Sequence, residues 1–518
     1  MRPLYQLVEA VPGARLWGRP DVVITGIAYD SRQVQPGQAF IPWRGGRRFG
    51  DGHRFIPEAL ERGAAAIVAE EGAEVDAEAV LRRAALVRTP DNRAALALMS
   101  APFYGYPSLK LRLYGVTGTK GKTTTAFMIR HILESCGIRS GLIGTVRYVV
   151  GDREAPADRT TPQAPELQRM LAEMVEAGCR AAVMEVASIA LVQHRVTGCA
   201  FDVGVFTNLG PEHLDDHGTM EAYAEAKSRL FAMLGQPVAG RTKPGPQRAV
   251  IHLDDPWSPV MVRVCRVPVV GFGRRPECAY RLDQVEAGME GTRFSAWTPE
   301  GKVEVRLPLH GAFNALNALA AIAAAAAEGI PAARAAEALA SMPPVPGRFE
   351  RVDEGQPFLV VVDYAHTAGS LAEVLKAARA LVPGRVICVF GCGGDRAPGK
   401  RPAMGRVAAE LADYVILTSD NPRSEDPEAI LDQIEAGIRD SPFAGRPYER
   451  RADRAEAIAR AVELAQPGDA VVIAGKGHET YQIFRDRTVP FDDRTVAREA
   501  LRARGYRRQG GEAPCCSP

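Results

Sequence analysis

The chain has 518 residues, of which 46% are hydrophobic and 24% are charged. This balance is typical of folded globular proteins and excludes a disordered or fibrous chain. The 64 basic and 62 acidic residues give a net charge of +2, which provides no reason to expect nucleic-acid binding. A chain of this length is too long for one hydrophobic core, so we expect about three domains.

The cysteines and the N-terminal segment bear on the compartment. Nine cysteines are scattered along the chain, and Cys388 with Cys392 lacks a second pair at zinc-site spacing. Reduced thiols, as in a cytoplasm, are the simplest interpretation. The N-terminus carries Glu9 and no continuous apolar core, so it does not resemble a signal peptide. The longest apolar stretch, residues 318–327, is too short to span a bilayer. We expect a cytoplasmic protein without membrane insertion.

A glycine-rich loop follows the apolar run at residues 111–116 and precedes a segment with helical periodicity. Gly118 and Gly121 allow backbone N–H groups to point at phosphate oxygens. The amine of Lys122 and the hydroxyl of Thr123 address the phosphates and Mg²⁺. The strand, loop and helix together predict an ATP-binding phosphate loop. Its predicted ligands are Gly118, Thr119, Lys120, Gly121, Lys122, Thr123 and Thr124.

Lysine is rare in this chain, since only nine of the 64 basic residues are lysines. Arginine therefore supplies most of the positive charge. A retained lysine can mark a position that requires a compact primary amine rather than a broad guanidinium fork. The lysines in glycine-rich loops are Lys120, Lys122, Lys400 and Lys476, and Lys227 lies in a further candidate motif.

Composition and periodicity divide the chain into three blocks and a tail. The first block contains short strand-like runs at residues 22–27 and 64–68. The second contains the phosphate loop, and a proline-rich joint at residues 342–347 follows it. We predict an α/β protein with these parts: residues 1–109, an N-terminal α/β domain; 110–341, a central phosphate-loop domain with a mostly parallel sheet; 342–506, a C-terminal Rossmann-like domain; and 507–518, a disordered tail.

In the third block, four apolar runs alternate with helical patterns, which predicts a parallel sheet covered by helices. The runs are residues 358–362, 386–390, 414–417 and 470–473. Each run ends in a polar or glycine-rich loop, and ligands of such sheets bind at the carboxyl ends of the strands. We therefore expect four loops to converge on one site, namely residues 363–366, 391–396, 420–423 and 475–479.

Two residues of the central block are candidates for Mg²⁺ binding. Glu185 ends a predicted strand, and His213 follows the next strand along the chain. A carboxylate and an imidazole beside a phosphate loop can hold Mg²⁺ against the transferred phosphate, although Mg²⁺ prefers oxygen and few protein ligands. Taken alone, either residue is more often structural.

Taken together, these residues resemble the ATP-dependent Mur ligases, and within that family the E type. The resemblance covers nearly the whole chain and implies that the N-terminal domain binds a uridine nucleotide carrying a sugar. The motifs that carry it are Asp30-Ser31-Arg32, Asp51-Gly52-His53, the phosphate loop, Thr160-Thr161-Pro162, Glu185, His213, residues 223–231, Asn314 with Asn317, Gly347-Arg348 and the four loops of the third block.

The resemblance implies roles for individual residues. Asn314 and Asn317 match adenine contacts. Asp363 matches a ribose contact, and Arg348 a γ-phosphate contact. Lys227 matches the family's carbamylated lysine (N6-carboxylysine), whose CO₂ adduct would give Mg²⁺ an anionic oxygen ligand. The residues implied to bind the UDP-sugar-dipeptide are Ser31, Arg32, Thr160, Thr161, Gln193 and Arg195. Those implied to hold the metal are Thr123, Glu185, His213 and carbamylated Lys227, and the implied catalytic residues are Lys122, Lys227, His213, Glu185 and Arg348.

The resemblance also implies which amino acid is added. In the family, the sequence Asp-Asn-Pro-Arg accompanies meso-diaminopimelate, and lysine-adding relatives differ at this Arg. The second carboxylate of diaminopimelate can pair bidentately with Arg423, whereas L-lysine has nothing there to pair. Arg423 is the predicted specificity residue, and Asp420 and Glu479 would receive the ammonium group. The implied diaminopimelate-binding residues are Arg396, Asp420, Asn421, Arg423, Gly475 and Glu479.

The implied activity is ATP-dependent, ADP-forming amide synthesis in peptidoglycan biosynthesis. The γ-phosphate of ATP passes to the D-glutamyl γ-carboxylate of UDP-N-acetylmuramoyl-L-Ala-D-Glu, and the amine of diaminopimelate then displaces phosphate from the acyl phosphate. ATP and Mg²⁺ are the implied cofactors, and the partners are these small molecules rather than nucleic acid. We expect a monomer whose third block closes against the second before chemistry.

Some positions depart from the family pattern. Ala187 and Ile189 stand where the family usually has Ser and His, and that Ser contacts the sugar-dipeptide. A paralogue that acts on another carboxylate is therefore an alternative. A nucleotide-binding partner protein without turnover is a second alternative, which the presence of Lys122, His213 and Lys227 disfavours. A folylpolyglutamate-synthase-like function would share the phosphate loop but would not explain Asp-Asn-Pro-Arg.

Overall fold

The computed structural model describes residues 1–45 and 50–507. The predicted tail lies, apart from Arg507, outside the described residues. The chain divides into two compact units. The first comprises Met1–Arg281, Thr298–Glu300 and Leu319–Ala335; the second comprises Leu282–Trp297, Gly301–Ala318 and the chain from Ala336 onward. The predicted domain boundaries at residues 109 and 341 stay predictions.

The first unit begins with a five-stranded sheet in the order Arg15–Trp17, Ala85–Thr89, Ala66–Glu70, Ala39–Phe40 and Ile27–Ala28. Only the pairing of Arg15–Trp17 is antiparallel. The predicted strand at 22–27 is wrong as one element, because Val23–Ile24 pairs with Arg2–Pro3 while Ile27–Ala28 pairs with Ala39–Phe40. The helices of this part are Leu4–Val8, Ile56–Glu61, Ala77–Leu81 and Asn92–Phe103.

A second sheet of the first unit carries the phosphate loop. Its strands lie in the order Arg153–Pro156, Arg147–Val150, Ser140–Ile143, Ala181–Glu185, Arg112–Thr117, Val203–Phe206, Arg248–His252 and Val269–Gly273. The last six pair in parallel, which confirms the mostly parallel sheet. Its helices are Lys122–Ser135, Ala164–Glu176, Ser188–Val192, Leu214–His217, Met220–Met233 and Ser258–Val264. The phosphate-loop strand Arg112–Thr117 is therefore central, with partners on both sides.

The second unit contains a six-stranded sheet in the order Glu350–Arg351, Leu359–Asp363, Ala470–Ala474, Val386–Phe390, Tyr414–Leu417 and Tyr448–Arg450. All neighbours except the first pair are parallel. Two apolar clusters lie on the two faces of this sheet, and helices cover them. The helices are Ala368–Arg379, Lys400–Leu411, Pro427–Arg439, Arg454–Leu464 and Asp493–Ala503. The predicted parallel sheet is confirmed, and its buried strands consist of apolar residues for that reason.

Further elements follow Val269–Gly273 in the chain. They are the strands Tyr280–Gly288, Gly291–Thr298 and Gly301–Leu307, of which the first begins by pairing in parallel with Val269–Gly273, the helices Phe313–Ala325 and Ala332–Leu339, and the hairpin Tyr481–Ile483 with Thr488–Pro490. Many helices begin after an Asp or Thr whose side chain accepts a backbone N–H, as at Asp91, Thr219 and Asp426. Among the described residues, no helix combines the length and apolar character that crossing a bilayer would require.

Candidate active site

The phosphate loop has the backbone geometry that its glycines predict. Gly118 and Gly121 both have positive φ, +153° and +82°. A Cβ at Gly118 would overlap the hydroxyl of Thr207, so only glycine fits there. Lys122 is the first residue of the helix Lys122–Ser135, and its Nζ donates to the carbonyl oxygens of Gly118 and Thr119, each at 2.9 Å. Its ammonium group therefore lies over the loop at a helix N-terminus, where phosphate binds favourably.

Asn208 holds the loop from the neighbouring strand end, a role that the sequence did not predict. Its Oδ1 accepts from the N–H of Lys120 at 2.9 Å, and its Nδ2 donates to the carbonyl of Lys120 at 3.1 Å. The backbone carbonyl of Asn208 also accepts from the N–H of Thr119 at 2.8 Å. One side chain thus binds both peptide groups that flank a loop residue and fixes their direction.

The carboxylate of Glu185 lies beside the loop and is 1% exposed. Its Oε2 accepts from the hydroxyls of Thr123 at 3.0 Å and Thr145 at 3.1 Å, and its Oε1 accepts from the N–H of Thr145 at 2.7 Å. A Cβ at Gly144 would crowd Oε1 at 2.5 Å, so this glycine makes room for the carboxylate. The carboxylate and the Thr123 hydroxyl are oxygen donors of the kind that Mg²⁺ binds.

Lys227 lies on the helix Met220–Met233 with 1% of the residue exposed. Its Nζ donates to the carbonyl of Gly118 at 2.8 Å and lies 4.4 Å from the ring centroid of Tyr223. Burial, followed by the charge of Lys122, lowers the pKa of Lys227 well below 10.5. Only a neutral amine adds CO₂, so this environment suits the predicted carbamate.

His213 adopts a left-handed backbone with φ of +57° just before the helix Leu214–His217. The side chain of His213 is 54% exposed, and partial burial followed by the charge of Lys122 lowers its pKa. Across residues 1–45 and 50–507, no three His, Cys, Asp or Glu side chains form a metal-binding cluster. The oxygen donors beside the loop are the Glu185 carboxylate and the Thr123 hydroxyl, and Mg²⁺ takes few protein ligands and binds phosphate oxygens and water besides.

The predicted sugar-dipeptide residues of the central block lie together. Arg195 donates from Nη2 to Oε1 of Gln193 at 2.6 Å and from Nη1 to the carbonyl of Thr161 at 2.9 Å. The Thr161 hydroxyl donates to the backbone carbonyl of Glu185 at 2.8 Å, and the hydroxyls of Thr160 and Thr145 are 3.0 Å apart. This group therefore adjoins the Glu185 carboxylate.

The other two predicted sugar-nucleotide residues lie in the N-terminal part of the first unit. Ser31 is buried, and its hydroxyl donates to Oε2 of Glu58 at 2.7 Å. Arg32 is mostly exposed and forms two hydrogen bonds to the carboxylate of Asp30, at 2.9 and 2.7 Å. The exposed guanidinium is accessible to a ligand, whereas the Ser31 hydroxyl already has a protein acceptor.

The two residues that depart from the family pattern surround Ser188. The N–H of Ala187 donates to the hydroxyl of Thr161 at 3.0 Å, so the backbone at this position keeps a polar contact. The Ser188 hydroxyl lies 2.9 Å from Nε2 of His217, whose ring stacks on Tyr223 with centroids 4.9 Å apart. Ser188 and His217 thus bring polar groups to the segment that lacks the usual Ser and His.

The predicted adenine contacts belong to the second unit. Asn317 Nδ2 donates to Asn314 Oδ1 at 3.0 Å, and Asn314 Nδ2 donates to the carbonyl of His310 at 2.8 Å. Both side chains are more than nine-tenths buried. Their amide planes are therefore fixed by protein contacts.

The predicted ribose and γ-phosphate contacts are neighbours in the same unit. Asp363 ends the strand Leu359–Asp363, and its Oδ2 accepts from the N–H of Phe349 at 2.6 Å. Burial raises the pKa of Asp363 to about 6, although the charge of Arg348 opposes this rise. The Arg348 guanidinium lies 5.0 Å from the ring centroid of Tyr364, a cation–π distance.

Two of the four predicted loops meet through Asn421 and Glu479. Asn421 Nδ2 donates to Oε2 of Glu479 at 2.8 Å. Asp420 Oδ1 accepts from the N–H of Asn421 at 2.7 Å, and a Cβ at Gly475 would lie 2.7 Å from Asp420 Oδ2. Gly475, with φ of +118°, therefore permits the close approach of the Asp420 carboxylate.

Arg423 bridges to a third loop. It has a left-handed φ of +54°, and its Nη1 donates to the carbonyl of Gly394 at 2.7 Å. A Cβ at Gly393 would lie 2.9 Å from this Nη1, so glycine leaves space for the guanidinium. Arg396, in contrast, is exposed and donates to the carbonyl of Asp395 at 3.2 Å. The structure thus fixes Arg423 more firmly than Arg396.

An ion pair that the sequence did not predict, between buried Arg401 and partly exposed Glu425, joins these loops. Arg401 is 1% exposed and donates to both carboxylate oxygens of Glu425, each at 2.8 Å. Glu425 Oε1 also accepts from the N–H of Asp395 at 2.6 Å, and Arg401 reaches the carbonyl of Gly393 at 3.3 Å. The pair therefore ties the loop at 391–396 to the segment that follows Arg423.

The first unit holds a phosphate loop beside a carboxylate and a buried lysine. The second unit is Rossmann-like and has charged loops at its strand ends. These features define the class of ATP-dependent ligases. Three family models match in succession: "Mur ligase family, catalytic domain" over residues 23–104, "Mur ligase middle domain" over 116–325, and "Mur ligase, glutamate ligase domain" over 347–477. The chain belongs to the Mur ligase family.

Individual relatives match over nearly their full length. The UDP-N-acetylmuramoyl-L-alanyl-D-glutamate--2,6-diaminopimelate ligase of Geobacillus kaustophilus is 47% identical over 506 residues, covering 97% of this chain and 100% of that protein. A solved structure of a ligase with the same name is 33% identical with a TM-score of 0.66, covering 95% and 97%. A MurF ligase from Thermotoga maritima in complex with ADP shares the fold, with 22% identity, a TM-score of 0.60 and coverage of 93% and 97%.

Proposed function

We propose that this protein is the ATP-dependent, ADP-forming ligase that adds meso-diaminopimelate to UDP-N-acetylmuramoyl-L-Ala-D-Glu in peptidoglycan synthesis. The observation that carries the amino-acid assignment is the cluster in the second unit, where the fixed guanidinium of Arg423 shares a group of loops with the carboxylates of Asp420 and Glu479. The distal carbon of diaminopimelate bears an ammonium and a carboxylate, so its binding requires both a carboxylate and a guanidinium of the protein. The proposal includes a cytoplasmic monomer whose partners are small molecules.

In the first step, the γ-phosphate of ATP passes to the γ-carboxylate of the D-glutamyl residue. Lys122 at the helix N-terminus and the fixed backbone N–H groups of the loop hold the phosphates. Arg348 offsets charge on the transferring group. The carboxylate becomes an acyl phosphate, which is a much better electrophile.

The metal site of the proposal consists of Thr123, Glu185, His213 and Lys227. Bound Mg²⁺ would neutralise phosphate charge. The buried Glu185 carboxylate offers oxygen to the cation, and a carbamate on Lys227 would add an anionic oxygen beside Gly118. The hydrogen bonds from Thr123 and Thr145 keep the carboxylate in one orientation before any ligand arrives.

In the second step, the free amine of the incoming amino acid attacks the acyl carbon. A tetrahedral centre forms, phosphate leaves with the bonding electron pair, and the amine loses its proton as the amide forms. Arg423, Asp420 and Glu479 bind the far end of diaminopimelate, which orients the attacking amine without touching it. The residues of this pocket therefore affect substrate affinity and orientation more than the phosphoryl step.

A second candidate function keeps the chemistry and changes the acyl substrate. Ala187 and Ile189 favour it, because they remove two polar side chains from the segment beside Thr161. The polar pair of Ser188 and His217 favours the first candidate, since it supplies replacement groups in the same segment.

Phosphate release by the purified protein tests both functions. The assay contains ATP, Mg²⁺, UDP-N-acetylmuramoyl-L-Ala-D-Glu and either meso-diaminopimelate or L-lysine. We expect turnover with diaminopimelate and a much lower kcat/KM with L-lysine. Turnover with L-lysine alone would contradict the amino-acid assignment. No turnover with either amine, together with tight ATP binding, would favour a different acyl substrate or a non-catalytic protein.

A further inference from the structure

Lys476 is a fully buried lysine in the second unit, with 0% of the residue exposed. It follows the strand Ala470–Ala474 and belongs to a chain in which lysine is rare. Its Nζ donates to Oε2 of Glu479 at 2.9 Å and to Oδ1 of Asn421 at 3.0 Å. The ring centroid of Tyr481 lies 5.6 Å away. The ammonium group of Lys476 therefore contacts two residues of the proposed diaminopimelate pocket.

These contacts fix the carboxylate of Glu479. Oε2 receives one hydrogen bond from Lys476 and a second from Asn421 Nδ2 at 2.8 Å, and these two bonds fix the direction of Oε1. Asn421 is itself held, because its Oδ1 also accepts the N–H of Ile483 at 3.0 Å. The amide of Asn421 thus has one orientation, with its oxygen toward Lys476 and its nitrogen toward Glu479.

The pocket carries no net negative charge. Asp420 and Glu479 each carry one negative charge, Arg423 and Lys476 each carry one positive charge, and the exposed Arg396 adds a further positive charge to the predicted set. The distal carbon of diaminopimelate bears an ammonium and a carboxylate, so its charge is zero. The side chain of L-lysine ends in an ammonium alone. A pocket without net negative charge has no excess attraction for that lone cation, and specificity is a difference between two such affinities.

We propose that Lys476 is a positioning residue that sets amino-acid specificity through Glu479. It neutralises this carboxylate and directs Oε1 at the ligand, which favours a zwitterionic carbon centre over a lone ammonium. This inference rests on the proposed function. It assigns no contact between Lys476 and the substrate, because the lysine is enclosed by the protein.

A purely structural role for Lys476 predicts a different result. A buried ion pair that loses one member destabilises the fold and leaves the other charge uncompensated. Loss of fold reduces turnover with every amino acid in parallel. Loss of the proposed role changes the ratio of kcat/KM for diaminopimelate to kcat/KM for L-lysine. An uncompensated Glu479 attracts any ammonium group, and the orientation that favours diaminopimelate is lost.

The first experiment compares Lys476→Met with the wild type and with Lys376→Met, a control at an exposed lysine of the same unit. Methionine keeps an unbranched side chain, one heavy atom shorter, and removes the charge. We expect kcat/KM for diaminopimelate to fall about tenfold, mainly through KM, because a charge-assisted network is lost. We expect the ratio of kcat/KM for diaminopimelate to that for L-lysine to fall at least as far. The KM values for ATP and the UDP-sugar-dipeptide should stay within about twofold of wild type.

Equal losses with both amino acids, or an unchanged ratio, overturn the inference. A wild-type enzyme that does not use diaminopimelate overturns the proposed function instead, so the two failures are distinguishable. A second comparison does not use the single variant Lys476→Met and leaves no uncompensated charge on residue 479. Glu479→Gln and the double variant Lys476→Met/Glu479→Gln should have ratios within about twofold of each other, because Lys476 acts through Glu479. A tenfold difference between these two variants overturns the inference.

Discussion

The Nζ of Lys227 lies 2.8 Å from the carbonyl oxygen of Gly118, so the lysine that is predicted to carry a carbamate is hydrogen-bonded to the phosphate loop. Two features of this position favour the modification. The amine is buried, and its lowered pKa increases the fraction of neutral amine that can add CO₂. The predicted carbamate would therefore stand beside the phosphate loop.

The first prediction concerns this carbamate. Removal of dissolved CO₂ should lower turnover, and addition of bicarbonate should restore it, because the modification is reversible and requires a neutral amine. Labelling with ¹³C-bicarbonate should give one carbonyl signal that Lys227→Arg abolishes, since guanidinium stays protonated. Lys376→Arg, at an exposed position, is the matched control. Full activity of Lys227→Arg in CO₂-free buffer would show that turnover does not require the carbamate.

The second prediction concerns Asn208, which binds both peptide groups around Lys120. Asn208→Ala should raise the KM for ATP about five- to thirtyfold, because two hydrogen bonds are lost at about 1 kcal/mol each. The KM for diaminopimelate should not change. Asn208→Asp should give at least as large an increase, because its negative charge repels the phosphates and the carbonyl oxygen of Lys120. Equal effects on both substrates would show that Asn208 supports the fold rather than the loop.

The third prediction concerns stability and pH. The pKa of Asp363 is about 6 in the folded chain against an ordinary value of 3.8, so folding favours its protonated form. Its contribution to stability is complete below about pH 4 and is lost as the pH rises through 6. Asp363→Asn should therefore increase the free energy of unfolding at pH 8 by about 1–3 kcal/mol and have little effect at pH 4. Urea denaturation without nucleotide measures this difference, and an increment independent of pH would contradict it.

The fourth prediction concerns Arg423. Arg423→Ala should raise the KM for diaminopimelate about 10- to 100-fold, because a charge-assisted contact contributes about 1.5–3 kcal/mol. The KM for ATP should stay unchanged. Arg487→Ala, an exposed arginine in the hairpin connection of the same unit, is the control. Unchanged affinity for diaminopimelate in Arg423→Ala would remove the basis for the amino-acid assignment.

Much of the fold was predictable from the sequence. The apolar runs at 386–390 and 414–417 became the strands Val386–Phe390 and Tyr414–Leu417, because strands buried on both faces of a parallel sheet consist of apolar residues. The prediction of one strand at residues 22–27 was wrong. Its residues are divided between two pairings, and pairing is a tertiary property that local composition does not contain.

The site was predictable where a loop follows a strand and less so where distant segments meet. Glu185 and the phosphate loop are recognisable from their local context. Asn208, in contrast, contacts a residue 88 positions away, and Lys476 contacts Asn421 across 55 positions. No spacing rule connects such residues. The scarcity of lysine was the sequence signal that pointed toward Lys476, although it did not reveal the partners.

The burial of three of the nine lysines has a practical consequence. Lys227, Lys243 and Lys476 are each less than one-tenth exposed, whereas Lys110, Lys302 and Lys376 are exposed. A reagent that acylates primary amines would therefore produce a sparse map by mass spectrometry, in which each modified peptide reports on one location. Slow labelling of the three enclosed amines would follow the opening of the polypeptide around them.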